Sequence, residues 1–128
     1  MLACVGNLGP NHAFPFPFME SLTIPWKILS STVALGLATD GWNLSAVAEG
    51  SDADVLRSFT FFVNFDAPFS IVPVVQVGLT GFDIDQRDSA RISLKAESIN
   101  EYGFQAVIST WASSRVYGIE FNWSAIGS

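Results

Sequence analysis

The chain has one cysteine, one histidine and only six lysines and arginines in 128 residues. Each shortage excludes something. Cys4 alone cannot form a disulfide within the chain, so the fold rests on packing or on association between subunits. One cysteine and one histidine do not make a zinc site within a single chain. His12 lies in a segment broken by glycine and proline, where no placed imidazole is expected to activate a nucleophile. Six scattered bases against twelve acids give a formal net charge of -6. Such a chain lacks the clustered cations that neutralise phosphates, so no nucleic-acid partner is expected. No apolar run reaches the ~18–20 residues of a spanning helix, so no membrane insertion is expected. The first residues lack a basic stretch followed by an apolar one, so no secretory signal is evident. Localisation is left open, export by another route included. No glycine-rich phosphate loop precedes a helix, and neither a cofactor nor an enzymatic activity is expected.

What is present points to sheet. Hydrophobic residues make up 49% of the chain and charged ones 14%, enough apolar surface for a core. Eleven phenylalanines fall among valine, isoleucine and threonine, residues that suit strands. Residues 1–30 read as an irregular arm, because Gly6, Gly9, Pro10 and the Phe14–Phe18 Phe-Pro alternation break regular structure. Short helical turns near Leu22–Ser30 are compatible with the pattern. Residues 31–128 are expected to form one domain. Strands are expected at Ser31–Ala38, Arg57–Phe65, Val74–Phe82, Ala90–Ile99, Phe104–Trp111 and Val116–Ile126. Alternation directs Phe59, Phe61, Val63 and Phe65 inward, with Val75, Val77 and Leu79, and with Ile92, Leu94 and Ala96. Six such strands with turn residues between them predict an all-β fold, a six-stranded antiparallel β-sandwich.

Two stretches stand out as places for chemistry. The segment Asn43–Asp54 is small, polar and acidic, and carries Glu49, Gly50, Asp52 and Asp54; loops on a rigid scaffold often carry function. The segment Ser109–Tyr117 reads as a hairpin with Trp111 at one shoulder and Tyr117 at the other. A sugar needs a carboxylate acceptor and a guanidinium or amide donor for its vicinal hydroxyls, and an aromatic wall for its apolar face. Asp54, Arg91, Trp111 and Tyr117 supply those groups. Each also has an ordinary reading: a solvated acid, an arginine paired with Glu97, aromatics of a sheet. Asp83–Asp88 reads as a solvated charged turn rather than a calcium loop. Paired acids such as Asp52 and Asp54 suit glycoside hydrolysis in principle, but nothing else in the chain supports it.

From Trp42 to Gly127 the chain resembles the H-type lectin domain, the family of snail agglutinins and of the C-terminal domain of discoidins. The resemblance is carried by Asp40-Gly41-Trp42, Phe65-Asp66-Ala67-Pro68-Phe69, Pro73-Val74-Val75 and Leu79-Thr80-Gly81-Phe82-Asp83. It continues through Arg91, Gly103-Phe104, Thr110-Trp111, Val116-Tyr117 and Trp123-Ser124-Ala125-Ile126. It implies a homotrimer, or a hexamer made of two trimers, with shallow sites near subunit boundaries for galactose or N-acetylgalactosamine. It also implies that Asp54 accepts from sugar hydroxyls, that Arg91 donates to them, and that Trp111 and Tyr117 wall the site. It further implies that Gly50 and Asp52 supply the loop backbone next to the Asp54 carboxylate. Ala112 stands where snail members can carry a sugar-contacting histidine, so discrimination in favour of N-acetylgalactosamine is expected to be weakened or achieved differently. A trimerisation module without sugar binding is the alternative.

Overall fold

The computed structural model describes residues 26–47 and 55–128. Its six strands are β1 (Lys27–Gly36), β2 (Arg57–Asn64), β3 (Val74–Ile84), β4 (Ser93–Glu97), β5 (Gly103–Thr110) and β6 (Val116–Gly127). No helix occurs among the described residues. The strands form two three-stranded antiparallel sheets, in the orders β1-β6-β3 and β2-β5-β4. This is the six-stranded β-sandwich that the alternation predicts.

Between the sheets lies one core. Phe121, Ile108, Val116 and Leu44 are completely buried, and Phe59, Phe61, Val75, Val77, Leu94 and Ala96 pack against the buried set. At one pole Phe65, Phe69, Phe104 and Trp123 form an aromatic cluster with ring centroids 5.2–6.0 Å apart, mostly tilted or edge-on. Such geometry matches positive ring edges to negative faces. At the other pole the Gly36–Trp42 turn closes through Thr39, whose amide donates to the Gly36 carbonyl at 2.8 Å. Trp42 then packs on Phe59 with centroids 5.1 Å apart.

Four expectations need correction. First, β5 and β6 do not form a hairpin: they are the central strands of different sheets. Residues 111–115 are therefore a corner that carries the chain from one sheet to the other. A period of two fixes which face a side chain takes but not which strand is its neighbour. Second, β1 begins at Lys27 and ends at Gly36, so residues 27–30 are strand rather than helical turn. Lys27 is drawn into the ladder by pairing with Gly127. Third, Leu79 is 37% exposed, although it is still paired with buried Phe121; the β3–β6 register shifts just beyond it. Fourth, regular pairing of β4 is confined to Ser93–Glu97, so Arg91 precedes the strand rather than opening it.

Candidate functional site

The 111–115 corner is where the predicted residues gather. Thr110 ends β5, is fully buried, and donates its hydroxyl to the Arg91 carbonyl at 2.5 Å. The Arg91 guanidinium reaches on through Nη1 to the Ser114 hydroxyl at 3.1 Å and to the Ser89 carbonyl at 3.4 Å. The Ser114 hydroxyl in turn donates to the Ser89 carbonyl. Arg91 thus sits against the corner, not opposite Glu97. Among the described residues only its Nη1 takes protein acceptors, which leaves donors of its planar fork for an incoming group.

Trp111 and Tyr117 flank the corner but belong to different surfaces. Trp111 continues the outward row of β5 and lines a groove of about 540 Å³ with Leu56, Ser58, Ser93, Lys95, Val107 and other residues of that sheet face. Tyr117 lies on β6 and donates its hydroxyl to Asp85 at 2.9 Å. Ala112 takes a left-handed backbone, φ 58°, a conformation that costs a residue with a Cβ roughly 1–2 kcal/mol. It makes the tight turn in which the Ser114 amide donates to the Trp111 carbonyl at 3.4 Å.

Asp52, Asp54 and Gly50 lie outside the described residues. The stem of their loop is described. The Leu44 carbonyl accepts from the Val116 amide at 2.7 Å, and the Trp42 indole donates to the Val116 carbonyl at 2.8 Å. On the far side of the loop Arg57 pairs with Thr110. Both ends of the 48–54 segment therefore stand at the pole that carries the corner.

Two groups were not singled out by the sequence. Arg57 donates from Nη1 to the Ala46 carbonyl at 2.9 Å and from Nη2 to those of Ala112 and Ser114 at 3.1 and 2.6 Å. Burial, and after it the charge of Arg115, lowers its pKa. Asp85 is the other. Its side chain is only 7% exposed, so the Asp83–Asp88 turn is not simply solvated. It accepts from the Arg87 side chain, from the Arg87 amide at 3.0 Å and from Tyr117. Those bonds, the Arg87 side chain first, hold its carboxyl well below the usual carboxylate range. The same bond raises the Tyr117 pKa, because ionising the phenol would set two anions side by side. Among the described residues no cluster of acids, histidines or cysteines could hold a metal ion.

A pH dependence follows. A depressed carboxyl stabilises the fold above the pKa it has when unfolded, about 4, and that contribution is lost as pH falls below it. The raised Tyr117 pKa works at the other end: its contribution is complete below about pH 10 and is lost above that. The melting temperature of the protein should therefore drop below pH 4, and Asp85→Asn should be less stable at neutral pH with a flatter acid limb. Melting curves at graded pH test this; parallel limbs for the two proteins would refute it.

An arginine, an indole and the stem of an acidic loop thus stand at one pole of the sandwich. The family model of the H-type lectin domain matches residues 60–126, 67 of the 128 residues. The chain belongs to that family, and its sandwich is an H-type lectin fold. Among solved structures it is similar to the wild-type discoidin II of Dictyostelium discoideum, with TM-score 0.64 and 24% identity over 80% of this chain and 37% of that one. A structure of recombinant discoidin II gives 0.62 and 24% over 79% and 36%. A protein of Fuscovulum blasticum, named "ATP synthase subunits region ORF 7", is 39% identical over 72 residues, 56% of this chain and 63% of that protein. The chain thus spans less than two thirds of each of these relatives.

Proposed function

We propose that the protein is a lectin for galactose- or N-acetylgalactosamine-type glycans, acting through shallow sites repeated in a homotrimer or a pair of trimers. The observation that supports the reading is that Arg91, bonded to Ser114, and Trp111 both adjoin the 111–115 corner, at the pole where the stem of the acidic loop stands. In this reading Asp54 accepts from vicinal hydroxyls and Arg91 donates to them, with Asp52 and Gly50 beside the carboxylate. Trp111 covers the apolar face of the ring. Ala112 offers only a methyl group, so little preference for an acetamido substituent is expected. Tyr117 lies on a different surface from Trp111, its hydroxyl committed to Asp85, so within one protomer it does not share the wall that Trp111 forms.

Each charge-assisted hydrogen bond contributes about 1.5–3 kcal/mol against competition from water. One site then binds a monosaccharide at about micromolar to millimolar strength. Several sites on one oligomer raise avidity ~10²- to 10⁴-fold on a sugar-dense surface. Exposed apolar residues such as Phe62, 63% exposed, suit a subunit interface.

Glycan-array binding by Asp54→Ala and Arg91→Ala tests the assignment. Both should lose galactose-type ligands while the oligomer mass in solution is unchanged; a mutant that binds as the parent does would remove that residue from the site. A trimerisation module without sugar binding is the second reading, favoured by Ala112 and by the commitment of the Tyr117 hydroxyl. An array blank for the unmutated protein, with a trimer mass, would decide for it.

A further inference from the structure

We propose that Arg57 is the positioning residue of this site: its guanidinium sets where the 111–114 turn and Arg91 stand relative to the Leu44–Ala46 stem. The inference rests on the sugar-binding reading above and adds the device that holds the site in shape. Arg57 shares the core-facing parity of Phe59, Phe61 and Val63, yet it stands at the end of β2, where the β2–β5 ladder stops at Thr110. There the fork divides. Nη1 is aimed at Ala46, with Leu44 at 3.5 Å, and Nη2 at Ala112 and Ser114. All four acceptors are backbone carbonyls in segments that take no part in either sheet, so no ladder fixes their separation. A rigid planar fork spans two such segments at once, whereas an ammonium is a single point of donors.

Ser114 joins this device to the predicted sugar donor. Its carbonyl takes Arg57 and its hydroxyl takes Arg91. Among the described residues predicted to contact sugar, Arg57 donates to Ala112 alone, and there to the carbonyl. It therefore acts through the corner. The left-handed Ala112 is held from outside by that same bond, which fits a strained turn kept in place by its surroundings. The amide of Val116, bonded to the Leu44 carbonyl, reports directly on whether corner and stem stay together.

The test uses the full chain with Arg57→Lys, which keeps the charge, and Arg57→Met, which keeps the length. Calorimetric titration with galactose gives affinity and number of sites; amide hydrogen exchange is read at Ser114 and Val116. Arg57→Lys should bind roughly ten-fold more weakly, since lost preorganisation lowers affinity. It should keep one site per protomer and exchange faster at both amides. A melting curve shows whether Arg57→Met folds, and the lysine variant decides the matter if it does not. Unchanged affinity and exchange overturn the proposal. So does a reduced number of sites at unchanged affinity, which is the mark of partial misfolding. If the unmutated protein binds no galactose, the sugar-binding reading fails by itself. Exchange then decides for Arg57: joint loosening at Ser114 and Val116 supports its positioning role, and unaltered exchange overturns it.

Discussion

Gly103→Ala is expected to destabilise the protein by about 3 kcal/mol or more, at the upper end of what overpacking costs. A Cβ at this position would overlap the carbonyl oxygen of Val63 and would stand 3.1 Å from the Val63 carbonyl carbon and 3.2 Å from the Asn64 Cα. All three obstacles are backbone, so no side chain can swing away. Relief requires β2 and β5 to part where their ladder begins, at the Asn64–Gly103 pair. That would also strain the Phe65 amide bond to the Tyr102 carbonyl at 2.8 Å and the Asn100 side chain that accepts from the Tyr102 and Gly103 amides. Gly118→Ala is the control: its nearest neighbour would be the Leu35 carbonyl at 3.3 Å. Urea unfolding of the two variants should give midpoints far apart, and equal midpoints would contradict the packing argument.

Trp42→Ala should cost about 3 kcal/mol, the lower end for a large aromatic because the ring is only part-buried. The loss has two parts. The ring packs on Phe59, and its indole N–H satisfies the carbonyl of fully buried Val116 at the foot of the corner. Trp42→Phe retains most of the ring and separates the two, with an expected loss of about 1 kcal/mol for the unmet acceptor. Thermal unfolding measures both; a phenylalanine variant as unstable as the alanine one would assign the whole effect to the hydrogen bond. The Asp40-Gly41-Trp42 motif thus acts on the corner: Gly41, at φ 80°, turns the chain so that Trp42 can reach it.

The sandwich was legible because alternation is written plainly in β2 and β5. Phe59, Phe61 and Val63 face in against Ser58, Thr60 and Phe62, and Phe104, Ala106 and Ile108 do the same opposite them. The same signal misled at residues 111–115, since two alternating runs around a turn look alike whether they pair or pass between sheets. Arg57 carried a readable mark, a cation in phase with a phenylalanine row, which calls for acceptors on the inner side of the strand. Asp85 carried none. Its partners are one side chain two residues on and another 32 residues on, and nothing local announces the second. Arg91 and Trp111 enter the candidate site through the family resemblance, whereas the Ser114 junction that joins Arg91 to Arg57 exists only in three dimensions.

β1 and β6 run side by side from Lys27 against Gly127 to Gly36 against Gly118. Lys27 and Gly127 thus stand together at one end of the sandwich. The corner begins at the other end of β6, twelve residues or roughly 40 Å away at ~3.3 Å per residue. A tether, a fusion partner or a solid support joined through the C-terminus would hang from the end of β6 opposite the corner. Immobilising the protein by a C-terminal tag should therefore leave the corner open to solution.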